Sequence, residues 1–274
     1  MGHRRSPERH DHPAPARDRR PARAGVDQGA LPARLTAPRE PLARSAPRPL
    51  ARERLAGSTL DAARHVLGAV LVREGPRRGV VRTARIVEVE AYIGEADLAS
   101  HARFGRTARN EVMYGPPGIA YVYLVYGMHH LLNVVTEPPG RPAALLIRAV
   151  EPLAGIDAMR AARASSARAR RRDAAAAERE ADAAMRVPAE RLAAGPALVT
   201  ACFGLDRSLT GQDLLDPGAP VRIEAAPSGE PATIETSPRI GVAYAGEWAA
   251  RPWRFTVAGS PSLSGPRRRA SGGA

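Results

Sequence analysis

The chain has no lysine: all 41 of its basic residues are arginine. No side chain can therefore supply an amine for Schiff-base chemistry, because a guanidinium stays protonated. There is one cysteine, Cys202. That excludes an intramolecular disulfide and any cysteine-rich zinc or iron–sulfur site. Aromatic residues are scarce at 4% of the chain. No apolar run approaches the ~18 residues that span a bilayer, and residues 1–20 lack the apolar core of a secretory signal. These absences predict a soluble cytoplasmic protein with no membrane association, nucleoid-associated if bacterial, and with neither metal nor cofactor.

What is present is charge. The 41 arginines stand against 28 acidic residues, a formal net charge of +13. Such an excess points to a polyanionic partner, nucleic acid first and an anionic membrane surface second. Hydrophobic residues make up 44%, enough for a real core. The charge is uneven. Residues 1–50 hold nine prolines, nine alanines and eleven arginines against five acids, with almost no large apolar residue. A segment of that kind cannot bury enough surface to offset its ordering entropy. Residues 1–54 are expected to be a disordered basic arm, read either as a composition-driven extension or as an aid to nonspecific DNA affinity. Residues 265–274 are expected to be a mobile tail.

Order is expected from residue 55 to residue 264, as one domain. A helix over 60–67 is capped by Ser58 or Thr59 and stopped at Gly68. Strands are expected over 69–73, 82–93, 120–126, 129–136 and 143–150, with Gly127-Met128 as a tight turn. Helices follow over 155–164 and 190–204, the latter restarting at Gly195-Pro196. Late strands are expected over 221–225, 240–244 and 253–258. The Ala/Arg/Glu-rich stretch 163–187 reads as a solvated helix or disordered insertion, or as a helix contacting DNA. The order β, then α, then β predicts an α+β fold with a curved, mainly antiparallel sheet flanked by helices.

Candidate chemistry gathers on the strands. Glu88 and Glu90, two apart, share one strand face, and Tyr92 shares it with them. His101 follows in a loop. Tyr121, Tyr123 and Tyr126 are half of the six tyrosines, packed into six residues beside Met128. Aromatic faces that hold a base on both sides are what a protein needs to receive an extruded nucleotide. Asn133, on the return strand, reads either as a satisfied core amide or as a reader of a base edge. Arg148 interrupts an apolar strand, so it needs a carboxylate partner, Glu90 or Glu88. The pair would keep that glutamate ionised, which suits a base that activates water.

The strings IVEVEAYIGEADLASHARFGRTARN, YVYLVYGMHHLLNVV, LLIRAVEPLAG and RIGVAYAGEWAARPWRF, the last followed by GSP, occur in this order over residues 86–261. Together they resemble the alkyladenine, or 3-methyladenine, DNA glycosylase family of animal and bacterial type. The resemblance implies a monofunctional base-excision enzyme, acting as a monomer on double-stranded DNA that contains alkylated or deaminated purines. It implies Glu90 as the base that deprotonates water, and Arg148 as the group that helps hold that water. Tyr92 and His101 resemble one wall of the base pocket and Tyr123 the opposing wall. Asn133 resembles the residue that rejects the guanine amino group. Tyr126 resembles the side chain that fills the gap left in the duplex, with Met128 beside it. His129-His130 depart from the family's more apolar pattern. The competing classes are a noncatalytic basic nucleic-acid-binding module and a small-molecule transferase or hydrolase. The chain has no phosphate loop, nucleophile elbow or metal-ligand spacing to favour the latter.

Overall fold

The computed structural model describes residues 48–75, 79–226 and 233–265. Most of the expected arm and nearly all of the tail lie outside the described residues. Residues 48–54, which composition places in the arm, belong to the folded body instead. The Leu50 amide donates to the Ile223 carbonyl at 3.1 Å, Leu50 is buried, and α1 (Glu53–Ala56) starts before residue 55. One leucine anchored on a sheet edge outweighs the arginine- and proline-rich composition around it.

The fold is α+β, built on an antiparallel sheet of eight strands. Its axis is β2 (Val81–Ile93). One edge of β2 pairs along its length with β5 (Ala143–Ala154). The other edge is shared by β1 (Val70–Glu74), on residues 81–85, and β8 (Arg254–Val257), on residues 88–90. Beyond β5 lie β4 (His129–Val135) and then β3 (Ala120–Val125). Beyond β1 lies β6 (Val221–Glu224), and β7 (Ile234–Ser237) pairs with β8. From Ile86 to Ala91 β2 is buried on both faces, so even its glutamates are inside.

Local rules account for the helices. In α2 (Thr59–Val66) the Ser58 hydroxyl caps the Leu60 amide, satisfying a donor that the helix cannot. The turn into α3 (Ile156–Arg170) needs Gly155: at φ 73°, a Cβ there would lie 2.2 Å from the Val81 carbonyl oxygen. Proline opens α5 (Pro196–Phe203) and left-handed Gly204 closes it, the favoured asymmetry of helix ends. Phe203 and Cys202 of α5 join Leu71, Ile86, Leu145 and Ile147 of the sheet in the main core.

The Ala/Arg/Glu-rich stretch is helical. α3 runs on to Arg170, and α4 (Ala174–Arg186), capped by Asp173, follows it. Ala164, Ala181 and Ala184 form a small core between the two helices. Arg168 pairs with Glu178, and Arg170 and Arg171 with Glu180.

The strand expected over 240–244 is absent. Ile240 lies in a loop with Gly241 at φ 79°, and the next segment, Ala243–Ala250, is 3-10 helical. The strand lies earlier, in β7. The cause is tertiary: Arg239 is drawn into a buried ion pair with Asp97, which pulls the chain off the sheet.

Candidate active site

The sheet carries its polar core where β2 and β5 slip register. Pairing passes from Ile86↔Val150 to Glu88↔Ala149 to Val89↔Ile147, so Val87 and Arg148 are skipped. Such an irregularity re-aims a side chain. Here the Arg148 guanidinium reaches both glutamates: Nε donates to Glu88 Oε1 at 3.0 Å, and Nη1 to Glu90 Oε2 at 3.2 Å. Both carboxylates are fully buried. Burial opposes the Arg148 charge, but Glu90 and Glu88 outweigh it and hold its pKa above the ordinary value.

The two carboxylates have different company. Glu88 accepts from Arg254 Nε at 2.7 Å, from the Ser264 hydroxyl at 2.7 Å and from the Ser264 amide at 2.6 Å. Burial would raise its pKa, but the bonds from Arg254 and Ser264 prevail and hold it below the usual carboxylate range. Glu90 accepts from the Tyr92 hydroxyl at 2.9 Å and from the Ile240 amide at 2.7 Å. Burial, then the Glu90 charge, pushes the Tyr92 phenol well above 10. Tyr92 thus stays a donor.

Tyr92, whose hydroxyl holds Glu90, lines a cavity of about 20 Å³ together with His101, Met113, Tyr121, Tyr123 and Asn133, with Ala99 and Ala144. That volume suits one water-sized group rather than a purine. His101 and Tyr123 do not face each other across a gap, as walls of a slot would. Their ring centroids are 4.4 Å apart at 71°, an edge contact of the kind aromatic quadrupoles favour. The imidazole Nδ1 lies 2.8 Å from the Tyr121 hydroxyl. Burial, then Arg109 and Arg103, lowers the His101 pKa to about 4, so the ring is neutral at physiological pH. Asn133 faces Tyr121 across the β3–β4 ladder and donates to its carbonyl at 3.1 Å. Glu90, Arg148, Tyr92, His101, Tyr123 and Asn133 are thus brought into one region.

Tyr126 and Met128 stand apart, at the tip of the β3–β4 hairpin. Tyr126 and Gly127 have φ of 51° and 66°, and the Met128 amide closes the turn on the Val125 carbonyl at 3.1 Å. Two successive residues with positive φ let the three-residue loop between paired Val125 and His129 turn tightly. A tyrosine there is strained, and it is 86% exposed.

Sequence reasoning missed the groups that hold this region in place. Arg239 donates to both Asp97 oxygens at 2.6 and 2.8 Å and to the Ala91 carbonyl at 2.8 Å, and its guanidinium lies 4.7 Å over the Tyr92 ring. It thereby ties the segment carrying Ile240 to β2. Asn110 donates to the carbonyls of His101 and Gly105 at 3.0 and 2.8 Å, pinning the His101 loop. The usable signal was a polar residue at one end of two of the four recognised strings: Asn110 ends one and Arg239 begins another. Among the described residues, no three His, Cys, Asp or Glu side chains are placed to hold a metal ion.

The family model described as methylpurine-DNA glycosylase matches residues 53–261. A protein of Methanocella arvoryzae is 45% identical over 206 residues, covering 75% of this chain and 90% of that protein. One from Anaeromyxobacter dehalogenans strain 2CP-1 is 44% identical over 212 residues, 77% and 83% of the two chains. One from Streptomyces avermitilis is 40% identical over 227 residues, 81% and 95%. All three carry the provisional name 3-methyladenine DNA glycosylase.

Proposed function

The chain belongs to the methylpurine-DNA glycosylase family, and from that premise we propose that it extrudes alkylated or deaminated purines from duplex DNA and hydrolyses their N-glycosidic bond with a water activated by Glu90. It is a DNA glycosylase, an enzyme of DNA repair. The observation that carries the finer reading is the buried Glu90 carboxylate, steadied by Arg148, Tyr92 and the Ile240 amide beside an aromatic cavity.

Hydrolysis of the bond passes through an oxocarbenium-like sugar. The water oxygen bonds to C1′ as the C1′–N bond breaks, and that electron pair leaves with the purine. Glu90 takes the water proton, and its negative charge favours the developing cation. A base alkylated at N3 or N7 carries a positive charge and departs neutral, whereas a neutral base such as hypoxanthine departs with the electron pair and takes up a proton from solvent. The cationic base is also drawn to π-faces, which Tyr92, Tyr123 and the neutral His101 supply. Arg148 sets its positive charge 3.2 Å from the buried carboxylate and fixes its orientation. Asn133 limits the room for a guanine amino group. Tyr126 fills the gap in the duplex with Met128 beside it, and the strain at its φ suits a residue kept for function rather than stability. The enzyme acts as a monomer in the cytoplasm.

The test is to incubate the protein with duplexes that carry hypoxanthine or 3-methyladenine and to detect free base by mass spectrometry. Free base and an intact abasic strand are expected. With no lysine in the chain, no borohydride-trapped complex is expected either. Strand cleavage without alkali or heat would contradict the water mechanism. Salt-sensitive binding with no base release would support a noncatalytic binding module instead.

A further inference from the structure

The loop that brings His101 to the cavity and the segment after Ile240 also bring together three further side chains. His101 begins a short 3-10 turn, His101–Phe104, and Tyr244 lies in the segment just after the loop that offers the Ile240 amide to Glu90. The Arg103 guanidinium is stacked 4.4 Å from the Phe104 ring centroid and 5.1 Å from that of Tyr244. Both rings are unusually bare for aromatics: Phe104 is 73% exposed and Tyr244 64%. Exposed apolar surface of this kind, next to a cavity, marks a contact surface.

Arg103 differs from Arg106 in what it lacks. Arg106, three residues on, is paired with Glu111. Arg103 has no carboxylate partner among the described residues, and its one hydrogen bond runs from Nη1 to the Leu98 carbonyl. A guanidinium has five N–H donors in one plane. With its Cζ over two rings and one donor used, donors remain for a further partner. Stacking fixes the plane in advance, so less freedom is lost when the edge meets a bidentate acceptor. The acceptor that best matches an unneutralised guanidinium is an anion, and Arg103 lies two residues from His101 on the same short turn.

We propose that Arg103, held between Phe104 and Tyr244, is a seat for the phosphodiester next to the lesion, on the strand that carries the extruded nucleotide. The proposal rests on the base-extrusion reading. A purine lodged among Tyr92, His101 and Tyr123, which requires those rings to part from the contact seen here, keeps its sugar beside Glu90, and the phosphates on either side of that sugar leave along the rim. A free, pre-oriented guanidinium there can take one of them, and the bare rings can cover the sugar edge beside it.

The test is a binding measurement, using a duplex with a 2′-fluoro hypoxanthine nucleotide that resists hydrolysis. Each phosphate near the lesion, on both strands, is replaced in turn by a neutral methylphosphonate. In the wild type, one lesion-strand position adjacent to the lesion should weaken binding by about tenfold, the scale of a hydrogen bond between charged groups. In Arg103→Gln the same replacement should cost less than about twofold, with other positions unchanged, and the salt slope should fall by about one unit. The Phe104→Ala/Tyr244→Ala double variant, which keeps the charge, should lose part of this coupling. Equal methylphosphonate effects in Arg103→Gln and wild type at every position would overturn the seat. Coupling found only on the complementary strand would overturn the strand assignment, and full coupling in the double variant would overturn the role of the rings. Because the readout is binding, it remains meaningful if no base is released. Base release in turn tests Glu90 whether or not Arg103 touches DNA.

Discussion

The two ends of the Arg148 guanidinium look into different surroundings. At one end Glu88 is met by a second arginine, Arg254, and by the hydroxyl and amide of Ser264. At the other end, among the described residues, Glu90 has no second arginine among its hydrogen-bond donors, only a tyrosine hydroxyl and one amide, and the aromatic cavity lies beyond that tyrosine. Both carboxylates are equally buried, so burial does not separate them. Their partners do. A carboxylate shared by two guanidiniums and closed off by the chain's own C-terminal segment is a fastening. One held by groups that orient it beside a cavity is placed for chemistry.

The sharpest way to break this comparison is to neutralise each glutamate in turn. Glu90→Gln is expected to reduce base release per folded molecule by at least about a hundredfold, the lower end of general-base effects, while lesion-duplex affinity stays near wild type. Single-turnover release alongside a binding titration checks it, and retained release would remove Glu90 from its role.

Glu88→Gln should act on the fold instead. It leaves Arg148 and Arg254 without their shared charge, and removing one partner of a buried pair costs about 3–5 kcal/mol. Urea unfolding measures this. The Glu88 pKa is depressed in the folded state, so its contribution is complete above the ordinary carboxylate pKa and is lost as pH falls through the folded value. Stability of the wild type should therefore drop on acidification below that range, and the drop should be shallower in Glu88→Gln. An equal or greater loss of base release per folded molecule than in Glu90→Gln would reverse the assignment of the two residues.

His101 sharpens the same contrast on the cavity side. Its pKa near 4 lies below the unfolded value of about 6.5. The unfolded chain therefore binds the extra proton, and stability is lost as pH falls from about 6.5 towards 4. His101→Gln should remove that part of the acid sensitivity. In NMR titrations the His101 ring should stay neutral through pH 5–8, whereas a midpoint near 6.5 would mean that the cavity does not shield it.

Tyr126 comes next. Tyr126→Gly should weaken lesion binding by about 1–3 kcal/mol, the range for loss of an aromatic stack. Its melting temperature should not fall, because glycine relieves the left-handed strain. Unchanged fluorescence of a neighbouring 2-aminopurine relative to wild type would argue against the plug. The smallest effect is expected at Asn133. Asn133→Ser should raise release of guanine relative to hypoxanthine, and an unchanged ratio would return it to the role of a core amide that serves the Tyr121 carbonyl.

Much of this was legible without the structure, and what was legible shares a property. The two-residue spacing of Glu88, Glu90 and Tyr92 follows from the strand period, and the Tyr126-Gly127-Met128 turn joins strands adjacent in the chain. The need of Arg148 for a carboxylate follows from one charge inside an apolar run. Each is decided by residues a few positions apart. Only the tertiary structure decided that Arg148 serves both glutamates, that Ser264 closes on Glu88 from 176 residues away, and that Arg239 meets Asp97 across 142. The same long-range pull turned the strand expected at 240–244 into a loop and drew Leu50 out of the arm and onto the sheet. Backbone periodicity is written locally, whereas the partner of a buried charge is whichever group the folded sheet brings within about 3 Å, and no local pattern encodes that distance.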